Sequence, residues 1–318
     1  MKTTLIPLLM LIIAVAVSAQ NYNSADRRPE FSDWSTPVNL GAPVNSGAND
    51  ASAVLSKDGL SLFFSSDRGG FGGEDIFVSK RRGKNAPWQE PVNLGAVVNS
   101  ASTDRLRSIS TDGRILLFQS NRVAGGQGGN DIWASVRSRV NDDFAWSTPV
   151  NLGSVINTEK EEIAANYWFG NGDRRKKLFF SSSRPGGINN SADIYLSEIS
   201  SGENFETPVN ILELNSPYTE SCFWVRDDGL EIIFSSTRAA FNNLIDSFDL
   251  WVSTRASIDD NWSVPESLAT LNTQGFRDVN PQVSADWQTM YFTSNRQPGG
   301  FGGSDIYLTT RHRLRGNE

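Results

Sequence analysis

Short runs of alternating apolar and polar residues dominate this chain, and residues 51–80 (ASAVLSKDGLSLFFSSDRGGFGGEDIFVSK) show the pattern clearly. Two such runs are joined by Asp58 and Gly59, a dipeptide typical of tight β-hairpin turns. A glycine-rich segment follows and leads to a third run at residues 75–78. The alternation has the period of two that a half-buried strand requires, so this stretch predicts three antiparallel strands.

The same stretch recurs in four more copies, and each copy is preceded by an aromatic residue and a proline. Proline is tolerated on an edge strand, where its missing N–H faces solvent, so this preceding segment predicts the outermost strand of each sheet. The third run of every copy begins with an aspartate at successive spacings of 56, 62, 56 and 56 residues: Asp75, Asp131, Asp193, Asp249 and Asp305. Four short strands per period at this regular spacing indicate a β-propeller.

The two ends of the repeated region predict how the ring closes. It starts with an outer-strand segment at residues 34–40 and stops after a third strand at residues 305–310. The strands balance only if the first segment completes the last blade, which also removes exposed sheet edges. We therefore predict an all-β fold, a five-bladed β-propeller over residues 31–312 closed by an N-terminal outer strand, with residues 38–40 pairing near residues 306–308.

The segments outside the repeats predict export. Residues 1–19 have the features of a signal peptide, with Lys2, an apolar run and a small-residue cleavage site at residues 17–19. The alternative, a retained N-terminal anchor, would need a longer apolar run. Residues 20–30 are polar and predicted to be disordered, and residues 313–318 form a short tail. We expect a periplasmic or secreted protein, without membrane insertion after cleavage.

Charge and composition exclude several classes of function. A formal net charge of −7 and a sequence pI of about 5.0 argue against nucleic-acid binding. The single cysteine, Cys222, lies in an apolar run and is interpreted as a core residue, and His312 is the only histidine. Serine–histidine or cysteine–histidine catalysis and multi-histidine metal sites are therefore not expected, and neither is a cofactor.

Several polar residues recur at matching positions of the copies. The expected chain path brings a loop carboxylate and an arginine of each copy to one face: Asp50, Asp104, Glu162, Glu220 and Asp278 with Arg68, Arg122, Arg184, Arg238 and Arg296. One interpretation is a binding surface. The other is a set of ion pairs that lock the blades, with each arginine in bidentate reach of the Asp75-type aspartate or of a neighbouring blade's loop carboxylate.

Two glycine-rich segments, residues 69–73 and 299–303, carry a central phenylalanine. No Lys-Ser/Thr follows them, so they do not form a phosphate-binding P-loop. Phe71 and Phe301 are predicted to be exposed near each other across the closure, where they could stack on a sugar ring or a peptide side chain. The alternative is packing on the blade edge.

The tryptophans at the start of four copies, Trp34, Trp88, Trp146 and Trp262, are predicted to pack between blades.

The pattern Ser-x-Asp-Gly-x-x-x-x-Phe-x-Ser-x-Arg followed by Asp-Ile-Phe, found at residues 56–77, resembles the WD-like propeller repeat of TolB-type bacterial proteins. The resemblance extends over residues 31–312. It implies a periplasmic or envelope protein that presents one propeller face to a partner. Relatives are often joined to peptidoglycan-binding domains of the OmpA type.

Two functions follow from this reading. The first is a monomeric, non-enzymatic binding platform of the cell envelope whose partner is an envelope protein or a glycan, because every blade carries much the same polar residues. The alternative is a five-bladed glycoside hydrolase of the arabinanase kind, in which carboxylates from different blades converge on the axis. Its candidate catalytic residues are Glu162, Glu220 and Asp50, with one of the two glutamates as the acid.

Overall fold

A computed structural model describes residues 31–170, 176–188, 191–200, 202–238 and 247–314. The predicted signal peptide, the polar segment 20–30 and residues 315–318 of the predicted tail lie outside the described residues. Within the described ranges there is no helix, and hence none that could cross a membrane.

Twenty strands form five four-stranded antiparallel sheets, which are the predicted blades. Blade 1 contains β2 Asp50–Leu55, β3 Ser61–Ser66, β4 Asp75–Lys80 and β5 Val92–Asn93, and blade 2 contains β6 Asp104–Ile109, β7 Ile115–Ser120, β8 Asp131–Val136 and β9 Val150–Asn151. Blade 3 contains β10 Glu162–Trp168, β11 Lys176–Ser182, β12 Asp193–Ile199 and β13 Val209–Asn210. Blade 4 contains β14 Glu220–Val225, β15 Glu231–Ser236, β16 Asp249–Thr254 and β17 Glu266–Ser267. Blade 5 contains β18 Asp278–Val283, β19 Thr289–Ser294, β20 Asp305–Thr310 and β1 Val38–Asn39.

Packing of blade against blade builds the core. The second strand of blade 1 is buried along its whole length, because both of its faces meet a neighbouring blade. Successive side chains of a strand point to opposite faces, so Phe63 enters the hydrophobic cluster shared with blade 2 and Phe64 the cluster shared with blade 5. Five such clusters fill the five blade interfaces. Trp34, Trp146 and Trp262 are buried in them and Trp88 packs against one, which confirms the predicted packing role.

The ring closes as predicted. The N-terminal strand β1 pairs with β20 in antiparallel register, with Val38 opposite Leu308 and Asn39 opposite Tyr307. The last blade therefore has the strand order β1-β20-β19-β18, and its outer strand comes from the other end of the described chain. Without β1, the third strand β20 would be the exposed outer edge of the last blade.

A buried asparagine joins each crossover loop to the preceding blade. At the closure, Asn45 Nδ2 donates to the carbonyl of Ile306 at 2.9 Å, and its Oδ1 accepts from the N–H of Ile306 at 2.9 Å. The same two-way contact joins Asn99 to Ile76 within the chain. These amides satisfy backbone groups on the third strand that are buried away from water.

We predict that Asn45→Ala destabilises the protein by about 2–4 kcal/mol, because the buried N–H and C=O of Ile306 both lose their side-chain partner. Urea unfolding of the mature protein measures the change. Asn204→Ala is the control, because Asn204 is exposed and only its backbone carbonyl accepts hydrogen bonds. Equal unfolding midpoints for the two variants would contradict the importance of this contact.

Candidate active site

The five repeated arginines lie on the face that carries the crossover loops, called the crossover face below. Each forms an ion pair with the carboxylate that begins the first strand of its own blade. The Nη2–carboxylate distances are 2.5 Å for Arg68–Asp50, 2.9 Å for Arg238–Glu220 and 3.7 Å for Arg184–Glu162. Arg122–Asp104 and Arg296–Asp278 make the same contact. Ion pairs were predicted for these arginines, but in bidentate form with the Asp75-type aspartates or with a neighbouring blade's carboxylate; the observed pairs form within one blade and through one nitrogen atom.

Each guanidinium is also held by its own blade. The Arg68 guanidinium lies over the rings of Phe64 and Phe77 at 5.0 and 5.6 Å, and its Nε donates to Ser66 Oγ at 2.9 Å. The equivalent arginines stack on the matching aromatic rings of the other blades. These side chains are therefore committed to structure. Their use as a binding surface, together with Asp50, Asp104 and Asp278, stays a prediction.

The Asp75-type aspartates have partners other than arginine. Asp75 Oδ2 accepts from the backbone N–H of Phe71 at 2.6 Å and from Asn93 Nδ2 at 2.8 Å, so it shapes the glycine-rich loop. Asp305 holds the N–H of Phe301 in the same way at 2.7 Å. Both rings remain exposed, at 50% for Phe71 and 54% for Phe301. Their role in stacking on a ligand stays a prediction.

The three carboxylates predicted as catalytic residues of the hydrolase alternative are not accessible to a substrate. The side chains of Glu162, Glu220 and Asp50 are fully buried, and each faces its arginine. Burial raises the pKa of Glu162 and of Glu220, although serine, threonine or arginine groups around them favour ionisation. A carboxylate enclosed in this way cannot reach a glycosidic bond, so these three residues do not form a hydrolase site.

A pocket of about 350 Å³ lies on the opposite face, where hairpins join the first and second strands of the blades; we call this the hairpin face. Its wall contains residues from all five blades around the axis. Three carboxylates line it, Asp58, Asp112 and Asp227, together with the aromatic residues Tyr167, Trp168, Trp224 and Trp287. A concave site with aromatic walls and a few converging polar groups is the usual form of a ligand pocket.

On the hairpin face, equivalent positions of the blades carry different residue types, unlike on the crossover face. The second residue of the hairpin is Lys57 in blade 1, Thr111 in blade 2, Asp227 in blade 4 and Ala285 in blade 5. All four line the pocket. A cation, a hydroxyl, a carboxylate and a methyl group therefore face one axis, so the argument that every blade is chemically alike does not hold here.

The carboxylates of the pocket have different environments. Burial raises the pKa of Asp227, even though Thr111 Oγ1 donates to its Oδ1 at 2.9 Å and Lys57 contributes a positive charge. Burial also acts on Asp58, but hydrogen bonds from Ser56 Oγ and the N–H of Leu60 outweigh it and lower the pKa. Two carboxyl groups whose pKa values are pushed apart are suited to act as acid and base.

Trp287 occupies a position where three other hairpins have glycine. Its φ of 64° lies in the left-handed region, close to the 76° of Gly59 and the 74° of Gly113. A bulky residue rarely adopts this conformation. Its carbonyl accepts from Arg311 Nε at 2.9 Å, and its ring lies 6.5 Å from that of Phe31. Unfavourable backbone angles that tertiary contacts maintain are found most often at functional sites.

A second set of arginines positions the hairpins. The residue that follows the third strand donates through Nε to the hairpin carbonyl, as Arg81 does to Gly59 at 2.7 Å and Arg255 to Gly229 at 2.7 Å. Each of these arginines also stacks on one of the repeated tryptophans, at 4.4 Å for Arg81 over Trp88.

The sequence analysis did not predict the hairpin-face pocket, although aligning the copies at the hairpin would have shown that the second hairpin residue varies. Within the described ranges, no group of three or more His, Cys, Asp or Glu side chains is arranged to hold a metal ion.

No family model matches the chain, and no curated protein matches it in sequence. Solved structures do resemble it. The α-L-arabinofuranosidase of Podospora anserina gives a TM-score of 0.52 at 12% identity, covering 90% of this chain and 98% of that one. The endo-arabinase of Bacteroides thetaiotaomicron gives 0.53 at 14% identity, covering 89% and 100%. A putative TolB from Agrobacterium tumefaciens gives 0.44 at 13% identity, covering 84% and 91%.

The two enzyme structures support the five-bladed propeller fold. They also correct the first functional expectation. Most of the similar structures are glycoside hydrolases, among them enzymes of families 43 and 62, so the prediction of a non-enzymatic binding platform is contradicted. The physical error lay in judging chemical evenness from the crossover face, where the repeated residues maintain the blades.

We predict that Arg122→Met destabilises the protein by about 3–5 kcal/mol, because it leaves the fully buried carboxylate of Asp104 without its cation. Urea unfolding measures the loss. Arg139→Met is the matched control: the Arg139–Asp142 pair is mostly exposed, and its loss should cost below about 1 kcal/mol. A similar small cost for both variants would show that the crossover-face pairs do not maintain the fold.

Proposed function

We propose that this chain is an exported glycoside hydrolase whose active site is the axial pocket of the hairpin face. The observation that carries the proposal is the pair of carboxylates, Asp227 and Asp58, which line one aromatic pocket with their pKa values shifted in opposite directions. Glycoside hydrolysis uses such a pair, one carboxyl group protonated and the other ionised. The hydrolases of similar fold support this assignment to a reaction class.

Asp227 acts as the general acid in this proposal. Its raised pKa keeps a proton available for the leaving oxygen of the glycosidic bond. Asp58 stays ionised and either activates water or attacks the sugar carbon. The indole N–H of Trp168 donates to the backbone carbonyl of Asp227 at 2.9 Å and so positions the segment that carries the acid.

The walls of the pocket suit a carbohydrate. Tyr167 and Trp287 are half-buried in the pocket lining, and the part of each ring that neighbours such as Arg226, 4.9 Å from the Trp287 ring centroid, leave uncovered can contact a sugar. A volume of about 350 Å³ is at the small end of ligand pockets, which favours a chain end or a side substituent over the middle of a polysaccharide. Because α-L-arabinofuranosidases are among the similar structures, arabinose-substituted polysaccharides are the first substrates to test.

The setting of this activity also remains a proposal. The signal-like residues 1–19 support export to the periplasm or the outside, where a glycan would be encountered. The TolB-type identity of the repeat is supported by its residues 56–77. The expected partner is then the glycan substrate, bound by a monomer.

We predict that Asp227→Asn lowers kcat by roughly 10²–10⁴-fold on a glycan that the mature protein cleaves, because the acid is removed while the hydrogen bond from Thr111 can persist. Release of reducing ends from arabinan, arabinoxylan and xylan measures it. Asp286→Asn is the control, since Asp286 occupies the turn position of blade 5 outside the pocket lining.

The pH profile provides a second readout. Activity needs protonated Asp227 and ionised Asp58, so kcat/KM should fall as the pH rises through the raised pKa of Asp227. It should also fall as the pH drops through the lowered pKa of Asp58. The alkaline limb should disappear from the residual activity of Asp227→Asn. Absence of cleavage across the whole panel, or full activity of Asp227→Asn, would refute the assignment.

We predict that Trp287→Gly raises KM by roughly 2–10-fold through the loss of ring stacking. Glycine has the same left-handed conformation in the other hairpins, so the turn should be retained. Trp287→Phe keeps an aromatic face and is the matched variant. Steady-state kinetics on the cleaved glycan separate KM from kcat, and equal KM values for the two variants would exclude a stacking role.

A further inference from the structure

A small cavity lies on the axis, separate from the hairpin-face pocket. The first strands of all five blades line it, and β-bulges interrupt their pairing at this level. It encloses about 10 Å³, close to the space of one water molecule or one monatomic ion. Its polar wall consists of Ser52, Arg107, Cys222, Asn280 and Gln282. Cys222, predicted to be a core residue, is thus half-buried at the axis.

Arg107 brings a positive charge to this cavity. Only 6% of the residue is exposed. Its Nε donates to Gln119 Oε1 at 2.9 Å, its Nη2 donates to the same oxygen, and its Nη1 contacts Asn280 Oδ1 at 2.9 Å and Cys222 Sγ at 3.1 Å. No carboxylate among the described residues lies within ion-pairing distance of this guanidinium, and Glu74, whose charge acts on it, pairs with Arg105 instead. A charge so deeply buried is costly unless a counter-charge accompanies it.

Ser52 supplies a second polar group to the same wall. It is 3% exposed, and its Oγ has no hydrogen-bond partner among the described residues. A buried hydroxyl without a partner costs about 1–3 kcal/mol, so such groups are normally satisfied by a ligand or an ordered water. Ser52 also has a φ of 57°, which its bulge imposes, and its N–H donates to Thr293 Oγ1 at 3.0 Å. The hydroxyl is therefore held at the cavity by a fixed backbone.

We propose that this axial cavity binds one monatomic anion of the chloride class, held by the Arg107 guanidinium and the Ser52 hydroxyl. The anion would neutralise the buried charge and accept the hydroxyl hydrogen bond. A metal cation is excluded by the guanidinium at the wall. The small size of the cavity favours a monatomic ion over phosphate or a carboxylate-bearing ligand. The ion would join blades 1 and 2 at the centre of the ring, independently of any catalysis on the hairpin face.

Cys222 offers the competing source of negative charge. Its Sγ contacts both Arg107 Nη1 and Ser221 Oγ at 3.1 Å, so a thiolate there would neutralise the guanidinium without an added ion. Cys222→Ser removes this possibility and keeps a small polar side chain. Anion binding that survives in Cys222→Ser supports the proposal, whereas binding absent from the unmodified protein overturns it.

The test uses the mature protein with bromide as the probe. Crystals grown in sodium bromide should show an anomalous peak on the axis between Arg107 and Ser52. Exchanging gluconate for bromide or chloride at equal ionic strength should raise Tm by roughly 3 °C, because the anion binds only the folded state. Ser52→Ala should weaken this halide shift, and Arg107→Met should abolish it.

Arg139→Met, which changes an exposed arginine, should leave the halide shift intact and controls for the general effect of losing a positive charge. If Arg107→Met does not fold, Ser52→Ala and the anomalous peak still decide the question. Ordered water without anomalous signal, or a halide shift equal in Ser52→Ala and the unmodified protein, would overturn the assignment.

Discussion

The structure depends on a buried carboxylate at the start of each innermost strand. Asp50 shows the arrangement: its two oxygens accept from Arg68 Nη2, from Ser46 Oγ and from the backbone N–H of Ser46. One side chain thus joins the crossover loop, the first strand and the arginine that follows the second strand. Because the carboxylate is fully buried, its charge is tolerable only with all of these partners present. The same requirement in every blade explains why this sequence motif recurs five times.

This constraint divides the two faces of the ring. On the crossover face, the repeated polar residues maintain the geometry of each blade, so the blades differ little in chemistry there. On the hairpin face, the backbone of the hairpins is held by arginines such as Arg137, whose Nε donates to the carbonyl of Gly113 at 2.8 Å. The second hairpin residue is then free to vary without loss of the turn. Chemical asymmetry, which catalysis needs, accumulates where side chains are not required for folding.

The axis has a layered organisation that follows from the same strands. The hairpin-face pocket and the small polar cavity share Gln282, whose Nε2 donates to the backbone carbonyl of Arg107 at 3.0 Å. Bulges displace one residue per inner strand toward the centre, and left-handed backbone angles at Ser52, Cys222 and Asn280 accompany them. Arg107 pairs with Gln119 of its own blade and with Asn280 of blade 5, so the polar groups at the centre are satisfied partly across blades.

The amino-acid pattern alone determined the strands, the number of blades and the closure of residues 38–40 onto residues 306–308, because alternation, turn residues and repeat spacing are local properties. It also predicted ion pairs for the repeated arginines, though with the wrong carboxylate partners. Only the tertiary structure decided that Glu162 and Glu220 are sealed and that Asp227 faces Lys57 and Thr111 across the axis. Asp227 lies 116 positions from Thr111 in the chain, and the burial of the two glutamates depends on how the blades pack, so neither property follows from the local sequence.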